Sequence, residues 1–140
     1  MEASSPSKTK NQDFILTVGK RKTAIARTFL VPNGEGKFVV NGKTMEDYFG
    51  NHPWQKVAVL TPLNVAKLIK ADVRAEVYGG GINGQADAIK HGISRAIAQI
   101  DVKMRKLMRD HGLLTRDSRI VERKKPGRPK ARRRFQFSKR

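Results

Sequence analysis

Apolar and polar residues alternate most cleanly over Asp72–Tyr78, where Val73, Ala75 and Val77 interleave with Arg74, Glu76 and Tyr78. A period of two predicts a strand with one buried and one polar face. The same logic assigns Thr23–Val31, with Ala24, Ala26, Thr28 and Leu30 on one side and Ile25, Arg27, Phe29 and Val31 on the other. Phe14–Val18 is a short β-branched run that predicts a further strand, broken by Gly19, after which Lys20, Arg21 and Lys22 read as a basic turn. Lys37–Val40 adds a strand between Pro32-Asn33-Gly34 and Asn41-Gly42, both turn signals. Phe14–Val18, Thr23–Val31 and Lys37–Val40, taken in order, predict an antiparallel meander.

Helical signals come between and after the strands. Thr44 with Asp47 three residues on resembles a capping box, opening a short helix through Tyr48 and Phe49 that Gly50 closes. Pro53 suits the first position of a helix carrying Trp54, Val57, Val59 and Leu60. Leu63–Ala71 fits neither period and stays unassigned. From Gly84 the spacing turns to three and four at Ala86, Ile89, Ile93, Ala96, Ile97 and Ile100, with Asp87, Lys90, Ser94 and Asp101 opposite. Gly92 inside that run predicts close packing. Asp101 is placed to cap a second helix carrying Met104, Leu107 and Met108, which Gly112 ends with Leu113 folding back. Beyond Leu114 only Ile120 and Val121 remain as apolar anchors. The prediction is an α+β fold: a small, mostly antiparallel sheet with helices on one face, residues 14–121, between a short disordered arm (1–13) and a disordered basic tail (122–140).

Charge sharpens this division. The chain carries a net +18 over 140 residues. Arg123–Arg140 contributes ten cations (Arg123, Lys124, Lys125, Arg128, Lys130, Arg132, Arg133, Arg134, Lys139, Arg140) and no acid, leaving +8 on the rest. So few apolar groups cannot offset the entropy of ordering so many like charges, and the tail requires a polyanion. Stretched out it spans roughly 60 Å, against a radius of gyration near 13 Å for the body. Both parts are basic, the footprint of a nucleic-acid binder. Membrane, the competing polyanion, is disfavoured because no long apolar run or Lys-rich amphipathic helix is present. With no cysteine, disulfides, Cys-based zinc sites and thiol chemistry are excluded. Met1–Asn11 lacks the apolar region of a secretory signal.

Several stretches suggest chemistry. Gly79, Gly81 and Gly84 spell GxGxxG between a strand and a helix. A dinucleotide fold needs further parallel strands that the remaining residues cannot supply, but bare amides at a helix start still suit a phosphate. His52, His91 and His111 are scattered, and no metal site, cofactor or catalytic triad is expected. Pro126-Gly127-Arg128-Pro129-Lys130 resembles an AT-hook core, which would make the chain a chromatin or nucleoid protein preferring A·T-rich duplex.

Five blocks together decide among these. VGKRKTAIAR (Val18–Arg27), NGK (Asn41–Lys43), GGGINGQADAIKHGISRAI (Gly79–Ile97), GLLTRDSRIVERKK (Gly112–Lys125) and KARRRFQFSKR (Lys130–Arg140) resemble the bacterial-type small-subunit ribosomal protein S-nine family. The resemblance implies a non-enzymatic constituent of the cytoplasmic or organellar ribosome, seated on rRNA in the subunit head beside neighbouring head proteins. It implies rRNA contacts at Lys20, Arg21, Lys22, Arg27, Gly79, Gly80, Gly81, Gly84, Arg116, Arg123, Lys124, Lys125, Arg128, Lys130, Arg132, Arg133 and Arg134. Ser138, Lys139 and Arg140 would approach the anticodon stem-loop of peptidyl-site tRNA. Pro126, Arg128, Pro129 and Phe135 depart from the usual family pattern.

Overall fold

The computed structural model describes residues 14–139; the predicted N-terminal arm (1–13) and Arg140 lie outside them. In chain order the elements are β1 (Ile15–Arg21), β2 (Ala24–Val31), β3 (Phe38–Val40), β4 (Lys43–Thr44), α1 (Met45–Phe49), α2 (Pro53–Ala66), β5 (Asp72–Tyr78), α3 (Ile82–Ile100) and α4 (Val102–Asp110). The fold is α+β. Five strands form one sheet in the order β1-β2-β5-β3-β4, antiparallel except where β3 runs parallel to β5.

That order replaces the expected meander. β5 inserts between β2 and β3 because its first residue captures the loop ahead of β3. Asp72 Oδ1 accepts hydrogen bonds from the backbone N–H of Glu35 and of Lys37, both at 2.8 Å, and Gly34 N donates to Lys70 O at 3.1 Å. A side chain at Gly34 would collide with the Asp72 carboxyl at 2.2 Å. The Asn41 side chain then extends the pairing, donating to Val77 O at 3.0 Å and accepting from Val77 N at 2.8 Å. A parallel pair needs a long crossover, and β4, α1 and α2 supply it.

Both faces of β2 and β5 follow the predicted alternation: Ala24, Ala26, Thr28, Leu30, Val73, Ala75 and Val77 are buried. They face α3, which packs on β1, β2 and β5, while α2 and α4 pack against α3. With Val40, Phe49, Val59, Leu63, Ile89, Ile93, Ile97 and Met108 these residues make the core. Covered on two sides, α3 buries Ser94 as well, which the sequence pattern had put on its polar face; Ser94 Oγ donates to Lys90 O at 2.7 Å. α3 also begins at Ile82, two residues before its periodic run.

Gly19 does not break β1. It pairs with Ala26 in mid-strand, and the basic turn shrinks to Lys22-Thr23, with Lys22 at φ 52°. The glycine is needed for contact with α3, since a Cβ there would sit 1.9 Å from Ala88 O and 2.4 Å from Gly92 N. Gly92 answers from the helix, where a Cβ would lie 2.7 Å from Thr28 Oγ1. This is the close packing its position predicts. Beneath it Thr17 Oγ1 donates to Gly92 O at 2.7 Å and lies 2.6 Å from Thr28 Oγ1, so the buried hydroxyls are satisfied.

The unassigned stretch divides at Ala66, into the last turn of α2 and a loop that Lys67 opens in the left-handed conformation. Val59, Pro62, Leu63 and Ala66 are the helix's buried stripe at helical spacing, with a proline in one place. Thr44 caps α1 as the sequence predicts, accepting from Asp47 N at 3.2 Å. Asp101 occupies the N-cap of α4 without making a side-chain bond. Gly112, at φ 68°, lets Leu113 N reach Met108 O at 3.0 Å, the predicted fold-back. Ile120 and Val121 are not anchors, being 72% and 82% exposed; Leu113 and Leu114 pack on the core in their place.

Gly19→Ala is expected to lower the unfolding free energy by about 1–3 kcal/mol, because backbone rather than a flexible side chain blocks the new methyl group. Gly81→Ala, where a Cβ meets nothing within 4 Å, should stay within about 0.5 kcal/mol of wild type, with urea titration the measurement for both variants.

Candidate nucleic-acid interface

Two predicted sites, the basic turn and the glycine loop, meet in space. Antiparallel pairing of β2 with β5 puts Ile25 opposite Tyr78, so the turn before β2 and the loop after β5 leave the sheet at the same end. Gly79 and Gly80, at φ 69° and 67°, lay the loop on the turn. A Cβ on Gly79 would stand 2.8 Å from Thr23 O, and one on Gly80 2.9 Å from Ala24 Cβ. Gln85 braces the loop from within: its Nε2 donates to Gly79 O at 3.1 Å while its Oε1 accepts from Tyr48 OH at 2.6 Å. The result is an open hollow of about 380 Å³ lined by Arg21, Lys22, Gly80, Gly81, Asn83 and Gly84 among others.

The hollow opens at the N-terminus of the 19-residue α3, which has no side-chain cap and no acid in its first turn. The helix therefore presents its partial positive charge uncompensated, beside Lys22. An anion fits this electrostatics, and glycine lets it approach the backbone.

Strand alternation scatters the other cations of the turn. Lys20 is exposed, in register with Ile25 and Tyr78 on the helix-free face of the sheet. Arg27 shares that face, 3.9 Å from Glu76. Arg21 points the other way. Its side chain is 14% exposed and lies 3.6 Å from the Asp87 carboxylate and 3.1 Å from that of Asp117. Its guanidinium also donates to the carbonyls of Asp117 and Arg119, both at 3.2 Å. Bonds from the Arg119 side chain, then from its backbone N–H, with Arg21 adding its charge, hold the Asp117 carboxyl well below the usual carboxylate range.

A second basic hollow, of about 280 Å³, lies between α3, α4 and the start of the tail, lined by His91, Arg95, Ala98, Gln99, Arg105 and Leu114. The sequence reading missed it, although His91, Arg95 and Gln99 recur at four-residue spacing on one face of α3. Arg95 donates to Val18 O, tying α3 to β1. His91 Nδ1 accepts from Lys20 N at 3.4 Å, and its Nε2 lies 3.3 Å from Leu114 O. With Nδ1 accepting, Nε2 carries the proton and donates to that carbonyl.

Residues 111–139 contain no helix or strand. Arg116, Arg123, Lys124, Lys130, Arg132, Arg133, Arg134, Ser138 and Lys139 are exposed; Lys125 and Arg128 are half-buried. Among the described residues, the side-chain bonds made by 122–139 join the tail to itself. Lys125 and Arg132 pair with Glu122, and Arg128 donates to Arg132 O at 2.8 Å around the turn at Gly127. Also among the described residues, no three His, Cys, Asp or Glu side chains gather as metal ligands, and no helix is long and apolar enough to cross a membrane.

Comparison with known proteins accounts for nearly the whole chain. The profile of the family described as ribosomal protein S9/S16 matches residues 19–140. The small ribosomal subunit protein uS9 of a Sulfurovum species is 49% identical over 127 residues, covering 90% of this chain and 98% of its own. Its Nitratiruptor counterpart is 50% identical with the same coverage. That of Anaeromyxobacter dehalogenans is 50% identical over 126 residues, 89% of this chain and 95% of its own.

Burial pushes the His91 imidazole below its ordinary value, with Arg95 and Arg116 acting in the same direction and the Leu114 carbonyl opposing. A histidine whose folded-state pKa is depressed binds its proton more readily when unfolded. Its contribution to stability is therefore full above about 6.5, the unfolded value, and is lost as pH falls from there through the folded one. Thermal unfolding of wild type and His91→Gln should show a Tm gap that narrows as pH falls from about 7.5 to 5.5. A gap independent of pH would contradict the neutral, doubly bonded ring.

Proposed function

The chain belongs to the ribosomal protein S9/S16 family, and from that membership we propose that it works as an rRNA-binding structural constituent of the small ribosomal subunit on the cytoplasmic ribosome. It is not an enzyme. The observation that carries the reading is the extent of the match, which runs through the cationic tail to residue 140 and so joins body and tail in one family pattern. An AT-hook protein would share only the short Gly-Arg-Pro segment.

In mechanism, Lys22 and the bare start of α3 at Gly79, Gly80, Gly81 and Gly84 take an rRNA backbone phosphate in the hollow between them. Lys20 and Arg27 face nucleic acid across the helix-free side of the sheet, and Arg116 does so at the root of the tail. The tail, from Arg123 through Lys124, Lys125, Arg128, Lys130, Arg132, Arg133 and Arg134, threads between rRNA helices and neutralises their phosphates so that they pack closely. Arginine suits this because its planar fork grips phosphate and stacks on bases. Phe135 and Phe137, both exposed, add base stacking worth roughly 1–3 kcal/mol each where it forms. Ser138, Lys139 and Arg140 reach the anticodon stem-loop of peptidyl-site tRNA, and neighbouring head proteins complete the surroundings of the body.

Removing Arg123–Arg140 should leave the body folded and weaken binding to small-subunit rRNA. The slope of log affinity against log salt should fall by about 0.7 to 0.9 for each phosphate the shortened chain no longer neutralises. An unchanged slope counts against the threading tail. Deleting only Ser138–Arg140 should permit assembly while weakening tRNA retention on programmed small subunits in filter binding; full retention would overturn the tRNA contact.

A further inference from the structure

The root of the tail is fastened far more firmly than its length. Leu113 and Leu114 pack on the core, and the Leu114 carbonyl accepts from His91. Three residues on, Arg21 takes hold. Every nitrogen of its guanidinium is used: Nε lies toward Asp87 at 3.6 Å, one terminal nitrogen reaches the Asp117 carboxylate at 3.1 Å, and the other donates to the Asp117 and Arg119 carbonyls at 3.2 Å. Arg119 closes the far side, donating to the Asp117 carboxylate at 2.7 Å. Lys90 balances Asp87 at 3.1 Å. Two carboxylates thus sit among three cations, and little of Arg21's charge is left for a phosphate. Beyond Arg119, among the described residues, the tail bonds only to itself.

We propose that Arg21 is a positioning residue that fixes the direction in which the cationic tail leaves the body, and not one of the phosphate contacts. This rests on the threading-tail reading above. A tail hinged at residue 114 would sweep most directions open to it, whereas one clamped through Arg119 starts each encounter already aimed. That restriction raises its effective concentration at an acceptor a fixed distance away. It also lowers the ordering entropy paid on binding. A lysine cannot replace the arginine, because a single ammonium cannot serve two carboxylates and two carbonyls lying on different sides of a planar fork.

The test exploits the absence of cysteine. Spin labels attached to Glu46→Cys on α1 and Ile120→Cys, both exposed positions, report the direction of the tail root in full-length protein without RNA. The distance distribution should be narrow in the parent and about twice as wide after Arg21→Gln, Arg21→Lys or Asp117→Asn, since each opens the clamp and returns the root to flexible-chain behaviour. Equal widths would overturn the proposal. Binding to a small-subunit rRNA transcript supplies a readout of opposite sign. Asp117→Asn removes an anion, so if Arg21 were a phosphate ligand the variant should bind RNA more tightly. If Arg21 aims the tail, binding should weaken about three- to ten-fold, in line with lost preorganisation. Unchanged or tighter binding rejects the aiming role. Asp117 lies on the irregular root, so this arm stands even where Arg21→Gln fails to fold. The distance measurement contains no RNA, so it succeeds or fails independently of the Arg123–Arg140 truncation that tests the threading tail itself.

Discussion

The layout of the candidate interface hangs from the near-contact of two backbones at Gly19 and Gly92. With glycine on both sides, α3 settles onto β1 and β2 closer than any side chain would allow, and the Thr17–Thr28–Gly92 hydrogen bonds fix its depth. The helix carries its bare N-terminus, Asp87, His91 and Arg95 at fixed intervals. Once its depth is set, each of these arrives where it is needed: the first at the turn of β1 and β2, the others along β1 and the root of the tail. A helix raised by one methyl group would still bury its isoleucines. It would lose register with Arg21 and Lys20, whose partners lie on α3 and beyond it.

The same structure accounts for how the charge is divided. Acids are few, twelve in the chain, and half of them have a task within the fold. Asp72 pins the loop before β3, Asp47 completes a cap, Asp87 and Asp117 receive Arg21, Glu76 meets Arg27 and Arg74, and Glu122 holds a turn within the tail. Asp47 receives the Thr44 hydroxyl, and each of the others a cation or a backbone group. The surplus positive charge is what remains outward: Lys20 on the open face of the sheet and Lys22 beside the glycine loop, Lys43, Lys67, Lys70 and the α4 cations elsewhere on the body, and nearly the whole tail. An excess of this kind destabilises the isolated chain by self-repulsion and is relieved by phosphate.

How much of this could be read from the sequence depended on range. Features set by neighbours a few residues away were legible: the alternation in β2 and β5, Thr44 with Asp47, and Gly112 with Leu113. The meander failed because the place of β3 is decided by Asp72, some thirty-five residues from the backbone groups it binds. Gly19 misled because a strand-breaking glycine and one admitting a helix look alike until the helix is present. Pro62 hid the end of α2 by occupying a position in its apolar stripe. At the candidate interface, the basic turn and the glycine loop were each visible, but their meeting needed the β2–β5 register. The pairing of Arg21 was hidden altogether, since in the sequence it is one of three adjacent cations and its partner Asp117 stands ninety-six positions away.

That last case bears on how basic proteins of this kind are read. In a run such as Lys20-Arg21-Lys22 the charges look equivalent, and all three invite assignment to phosphate. Strand geometry makes them unequal, because alternate side chains must face opposite sides. Lys20 goes to the open face, Lys22 to the end of the sheet beside the glycine loop, and Arg21 inward, where only a paired charge can remain. Burial selects arginine at the middle place, since its fork satisfies several acceptors at once while staying charged. The run is thereby divided: two lysines left in solvent, and an arginine turned inward onto Asp87 and the root of the tail.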